Sequence, residues 1–97
     1  MSEVPSPRDL VSLVNDAEKQ YRTYKHQLAL EKSTLALEID WNKVNQNRIN
    51  QGKPKITNQE NRNHYFKVHF AEEDEKLLKL ELNYRSLERE LEKELLL

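Results

Sequence analysis

Cysteine is absent from this chain of 97 residues, which has a single glycine and three prolines. Without cysteine the chain has no disulfide, no thiol nucleophile and no cysteine zinc site. One glycine is too few for the glycine-rich loops that cradle phosphates, or for the sharp G-x-S-x-G turn of serine hydrolases. We therefore predict a protein that is not an enzyme and that uses no cofactor.

The histidines and the acidic run do not have the spacing of a metal site. His64 and His69 are five residues apart, so they diverge on a helix, and His26 stands far from both. Residues 72–75 are four consecutive acids that point in different directions on a helix and belong to no calcium-binding loop. We predict no metal site and interpret these side chains as a polar surface.

Long apolar runs are also missing. No segment approaches the roughly 18 consecutive apolar residues of a membrane-spanning helix, and the N-terminal sequence MSEVPSPRD lacks the apolar core of a signal peptide. The formal net charge is −1, so no overall charge draws the chain to nucleic acid or to a membrane. These absences predict a cytoplasmic protein that does not bind membranes.

Apolar residues at helical spacing are what the chain does contain. They recur on both sides of one strong break at Gly52-Lys53-Pro54. Glycine suits the left-handed backbone conformation just past a helix end, and the proline prevents the helix from continuing. Ser6-Pro7 offers a helix start before the first run, and Thr57-Asn58-Gln59-Glu60 offers a capping box before the second. We predict a flexible tail over residues 1–5, a helix over 7–50, a turn over 51–56 and a helix over 58–96.

The two predicted helices define an all-α fold, a long antiparallel two-helix hairpin with coiled-coil packing that forms one domain over residues 6–97. Equal rise in both arms pairs positions whose numbers sum to about 108. Tyr24 is then expected opposite Tyr84, and Trp41 is expected level with Phe66. The residues predicted to form the seam between the helices are Tyr21, Tyr24, Leu28, Leu35, Phe66, Phe70, Leu77, Leu80, Tyr84, Leu87 and Leu91.

Two helices leave part of their apolar surface uncovered. The leucines predicted to lie off the seam are Leu13, Leu30, Leu37, Leu78 and Leu82. A lone hairpin of this size has a small core and would be marginally stable. We predict that the protein forms a homodimer that closes a four-helix bundle, with a different protein docked on the same surface as the alternative.

Positive charge is concentrated around the predicted turn. Residues 42–69 hold six basic side chains against one acidic, a local charge of +5, whereas residues 1–41 carry −2 and residues 70–97 carry −4. Ten of the fourteen Asn and Gln residues lie in the same basic segment. The candidate binding residues at this tip are Lys43, Arg48, Lys53, Lys55, Arg62, Lys67, Trp41 and Tyr65.

Three interpretations of this basic segment stay open. Cations attract phosphates, amides contact phosphates and base edges, and aromatic rings stack on bases, so one hypothesis is a tip that binds nucleic acid. An acidic protein surface is a second partner with the same charge. The third interpretation is an ordinary solvated turn, in which amides are frequent and Trp41 and Phe66 end the apolar core.

Two segments carry a resemblance to known proteins. Residues 40–45 read D-W-x-x-V-N at the end of the first helix, and residues 52–62 read as a G-x-P turn followed by T-N-Q-x-x-R. This pattern, flanked by charged coiled-coil arms, resembles small helical-hairpin proteins found in bacterial phages and prophages. The resemblance implies an accessory protein of a mobile element and supplies no catalytic residues.

Taken together, the residues predict a non-enzymatic binding or assembly protein. Its partner is expected at the tip of the hairpin or along the uncovered apolar stripe. A nucleic-acid-binding accessory protein that uses the basic, amide-rich tip is the alternative function.

Overall fold

The computed structural model describes residues 7–96, and it contains four helices in this part of the chain. They are α1 (Pro7–Glu38), α2 (Trp41–Asn50), α3 (Gln59–His69) and α4 (Ala71–Leu95). The long helices α1 and α4 pack against each other in antiparallel fashion, and the molecule measures 61 × 25 × 22 Å. The predicted all-α hairpin with antiparallel arms is confirmed. The predicted tail over residues 1–5 lies outside the described residues.

The prediction of one continuous helix over residues 7–50 is wrong, because the helix is interrupted at Ile39 and Asp40. Asp40 has an extended backbone with φ −96° and ψ 99°. Its carboxylate accepts hydrogen bonds from the backbone N–H groups of Asn42 and Lys43, at 3.0 and 3.2 Å. Aspartate is among the best N-cap residues, so it stabilises a new helix start at Trp41.

The second predicted helix, over residues 58–96, is also interrupted, at Phe70 between α3 and α4. The Phe70 side chain is buried, with the Lys32 ammonium 5.7 Å from the ring centroid. Three acidic residues occupy the first turn of α4. Negative charge near the N-terminus stabilises a helix. The start of α4 directly after Phe70 places these acids at the favourable end of the helix.

The turn between α2 and α3 follows the predicted glycine signal. Gly52 has φ 74°, its N–H donates to the Ile49 carbonyl, and the Lys53 N–H donates to the Arg48 carbonyl. This pair of bonds is the Schellman motif that ends many helices. The predicted Thr57 cap is wrong by one residue, because Asn58 is the N-cap of α3 and its side chain accepts from the Asn61 N–H at 2.8 Å.

The register of the stalk, which we define as α1 and α4 together, differs from the predicted one. Tyr84 stacks on Tyr21, with ring centroids 6.0 Å apart, and not on Tyr24 as predicted. The shift is three residues, almost one helical turn, because the non-helical residues near positions 40 and 70 break the assumption of equal rise. Near the turn, the predicted position of Trp41 level with Phe66 is confirmed, because their ring centroids are 5.7 Å apart.

The core is thin, and most of it follows the seam between α1 and α4. The buried apolar residues among the described ones are Leu10, Val14, Ala17, Leu28, Ile56, Phe70 and Tyr84. The other predicted seam residues are half-buried, namely Tyr21, Tyr24, Leu35, Phe66, Leu77, Leu80, Leu87 and Leu91. With only two helices, each seam side chain is covered on one side by the facing helix. Most of the seam therefore stays partly open to solvent.

Candidate functional site

The candidate site is the tip, which we define as α2, α3 and the loop that joins them, residues 41–69. This segment contains all six basic side chains that give residues 42–69 their positive charge. The two helix interruptions mark its ends. His69 and Phe70 line one cleft together with Leu35 and Glu38, so the second interruption lies beside the end of α1.

Aromatic side chains pack the base of the tip. The Trp41 ring meets Tyr65 and Phe66 edge-on, with centroid distances of 5.4 and 5.7 Å. The Arg62 guanidinium lies over the Trp41 ring, 5.0 Å from its centroid, and the buried Arg62 Nε has no hydrogen-bond partner among the described residues. These contacts give Trp41 and Phe66 a packing role, and they make Arg62 part of the packing as well.

Two side chains of α2 fasten the loop. The Asn45 side chain donates from Nδ2 to the Ile56 carbonyl at 3.0 Å and accepts from the Ile56 N–H at 2.7 Å. The Arg48 Nε donates to the Pro54 carbonyl at 2.8 Å. The buried Ile56 side chain anchors the same stretch. The loop residues between Lys53 and Ile56 are therefore held in one position relative to α2.

The six predicted cations of the tip fall into two groups. Arg48 and Arg62 are half-buried and make the intramolecular contacts described above. The four lysines are exposed, namely Lys43, Lys53, Lys55 and Lys67. The four lysines are therefore the fully exposed basic side chains among these six.

One groove brings part of the candidate set together beside the loop. This loop groove has a volume of about 530 Å³. Its lining residues are Arg48, Lys53, Pro54, Lys55, Ile56, Asn61, His64, Tyr65, Val68 and His69. Three basic side chains and no carboxylate line it within the described chain. The predicted candidates Lys43, Arg62, Lys67 and Trp41 lie outside this lining.

A second groove, between α1 and α3, has a different character. Its volume is about 770 Å³, and its lining includes Lys32 and Lys67 on the basic side and Glu60 and Asp74 on the acidic side. Lys32 and Asp74 form an ion pair with 2.5 Å between Nζ and Oδ1. Its charges are balanced and two of them are paired, so this groove does not select an anionic ligand.

The outer faces of the molecule expose apolar side chains. The large apolar residues exposed in the described part are Val11, Leu13, Leu30, Leu37, Ile49, Val68, Leu78, Leu82, Leu95 and Leu96. All five leucines predicted to lie off the seam are in this set, and Leu37 is 88% exposed. Val68 is the member that also lines the loop groove.

Two stalk tyrosines have perturbed acidity. The Tyr84 hydroxyl donates to the Glu88 carboxylate at 2.8 Å, and this bond, followed by burial, raises the pKa of Tyr84 above its ordinary value of 10.0. Burial is the main cause that raises the pKa of Tyr24, and the charges of Glu73, Glu31 and Asp74 add to it. Both groups belong to the seam and lie away from the loop groove.

Metal sites and membrane-spanning helices are both missing from residues 7–96. No cluster of three or more His, Asp or Glu side chains in this range is arranged to hold a metal ion. No helix in the same range combines the length and the apolar character that crossing a membrane requires.

Comparison of the sequence and the fold with known families, with characterised proteins and with solved structures gives no match. The resemblance of residues 40–45 and 52–62 to helical-hairpin proteins of phages therefore stays a prediction from the sequence.

Proposed function

We propose that this chain is a non-enzymatic binding and assembly protein that pairs with a second copy of itself through the outer faces of its stalk. The observation that carries the proposal is the exposure of apolar side chains on both stalk helices, with Leu30 and Leu37 on α1 and Leu78 and Leu82 on α4. Large exposed apolar patches on a soluble protein mark interaction sites.

The thin core supports a second copy as the occupant. Most seam side chains are half-buried, so the hairpin gains little from its own packing. Packing two hairpins together would cover these residues and the outer leucines at once, as in a four-helix bundle. Each leucine side chain removed from water would contribute up to about 1.5–3 kcal/mol.

Mass measurement in solution tests this proposal. Light scattering coupled to size-exclusion chromatography should report twice the 11.6 kDa mass of one chain for the parent protein. The double variant Leu78→Gln and Leu82→Gln should shift toward the single-chain mass, since glutamine keeps helix propensity and removes apolar contact.

The matched control is Glu75→Gln with Lys79→Gln, which changes two exposed residues of the same helix that form an ion pair at 3.4 Å. An exposed pair of this kind contributes little, so the control should remain dimeric. A stable monomer at low micromolar concentration, whose melting temperature does not depend on concentration, would contradict self-association.

The resemblance to phage proteins adds a biological context to the proposal, an accessory role in a phage or another mobile element. Its support is the D-W-x-x-V-N and T-N-Q-x-x-R pattern on both sides of the turn. Finding the gene among structural or replication genes of a prophage would support this role. A position in a conserved housekeeping operon would contradict it.

A further inference from the structure

The loop groove has a charge that the whole chain does not share. The protein carries a net charge of −1, yet Arg48, Lys53 and Lys55 line this groove without a carboxylate among the described lining residues. Clefts lined by one sign of charge raise the local concentration of ligands of the opposite sign. The groove therefore favours an anionic ligand.

The cations of the loop groove lie on or beside backbone that hydrogen bonds hold in place. Asn45 holds the Ile56 backbone through two hydrogen bonds, and Arg48 holds the Pro54 carbonyl through Nε. The outer nitrogens of Arg48 remain for a ligand, and Lys53 and Lys55 flank the fastened Pro54. A backbone ordered before binding loses less conformational entropy on binding, which raises affinity.

The opposite wall of the groove suits nucleobases. Asn61, Tyr65 and Val68 lie at helical spacing on one face of α3, and all three line the groove. The Tyr65 and Trp41 rings meet edge-on, and the Tyr65 ring stacks on His69 with ring centroids 6.1 Å apart. Tyr65 therefore forms part of a fixed aromatic surface. Aromatic rings stack on bases of any sequence, and amides bond base edges.

We propose that the loop groove binds single-stranded nucleic acid, with Arg48, Lys53 and Lys55 on the phosphates and Tyr65 beside a base. A single strand fits better than a duplex, because stacking on protein aromatics requires bases that are not already stacked in a double helix. An acidic polypeptide would use the same cations but would leave the aromatic wall without a partner. This activity is separate from the stalk pairing proposed above.

Fluorescence anisotropy with labelled oligonucleotides tests the proposal. The probes are a 12-nucleotide oligo(dT), the matching oligo(rU), a 12-base-pair DNA duplex and labelled poly-glutamate, each at about 50 mM salt, where phosphate contacts are strong. The single strands should bind most tightly. With three phosphates neutralised, a fourfold rise in salt should weaken binding roughly 20-fold, since each contributes about 0.7 to the salt slope.

Charge reversal in the groove separates a built site from general attraction. Lys53→Glu with Lys55→Glu should weaken single-strand binding at least about tenfold, because it removes two of three phosphate contacts. The control Lys43→Glu with Lys67→Glu changes the net charge equally, at exposed tip lysines outside the groove lining. It should weaken binding by less than about threefold. Circular dichroism should show unchanged helicity in both variants, and Lys53→Gln with Lys55→Gln replaces the reversal if it does not.

Several results would overturn the proposal. Equal losses in the two double variants would show diffuse attraction to the tip. Tighter binding of the duplex would remove the single-strand assignment, and equal binding of poly-glutamate would favour an acidic protein partner. Absence of binding of every probe at tens of micromolar would leave the groove without a nucleic-acid ligand.

Discussion

At the scale of single residues, the tip owes its shape to side chains that bond backbone atoms far along the chain. Asn45 bonds Ile56 eleven residues away, and Arg48 bonds Pro54 six residues away. Sequence patterns of amides and cations mark such residues as polar and do not identify a backbone partner. Arg62, a candidate binding residue of the tip from the sequence, lies over the Trp41 ring.

Tyr84 gives a prediction about pH at this scale. Its folded-state pKa is raised, chiefly by the hydrogen bond to Glu88, so the neutral phenol stabilises the fold. This stabilisation is fully present below the unfolded-state pKa of about 10 and is lost as pH rises through the folded-state pKa. The urea midpoint of the parent should therefore fall above pH 10, and the fall should be smaller in Tyr84→Phe.

The phenolate absorbance separates the Tyr84 contribution from that of the other three tyrosines. The difference between the titrations of the parent and of Tyr84→Phe isolates this one group. Its midpoint should lie above pH 10. A difference titration centred at or below pH 10 would show that the bond to Glu88 is absent in solution.

At the scale of elements, the glycine and proline signals in the sequence do not indicate either helix interruption. Glycine and proline mark strong breaks, and the structure confirms the break predicted at Gly52. Asp40 is a good helix cap, but within a long apolar repeat an aspartate also reads as an exposed helical residue. Phe70 carries no helix-breaking signal in the sequence, and its side chain is buried.

The interruption at Asp40 leads to a prediction for α2. Asp40→Ala removes the carboxylate that accepts from the Asn42 and Lys43 N–H groups, and should cost about 0.5–2 kcal/mol of unfolding free energy. Asp40→Ser is the matched control, because serine also caps helices, and it should cost much less. The measurement is urea unfolding followed by circular dichroism. Equal losses in the two variants would mean that capping is not the role of Asp40.

The candidate site was predicted in part at this scale. Local charge identified the segment, and Arg48, Lys53, Lys55 and Tyr65 of the predicted set do line the loop groove. Asn61 and Val68 were missed as groove residues, although their spacing from Tyr65 places all three on one helical face. Which face of α3 turns toward the loop depends on the Asn45 and Ile56 contacts, and periodicity does not contain that information.

At the scale of the whole molecule, the charge boundary and the helix interruptions coincide. Residues 42–69 carry +5, and the tip between the two interruptions covers residues 41–69. The hairpin, its antiparallel arms and the level of Trp41 with Phe66 were predictable from periodicity and one turn signal. The stalk register was not, because a few non-helical residues shift the facing positions by three.

The length of the rod distinguishes two ways of pairing. The radius of gyration is 20.2 Å, against about 13 Å for a compact domain of this size, so the molecule is a rod about 61 Å long. Leu30, Leu37, Leu78 and Leu82 lie on the flanks of this rod and not at its ends.

We expect side-by-side pairing, in which small-angle X-ray scattering gives the mass of two chains and a longest dimension close to that of one rod. The Leu78→Gln and Leu82→Gln variant should keep this length and lose half the mass. A longest dimension near twice the rod length would instead assign the contact to the rod ends, where Leu95 and Leu96 are exposed.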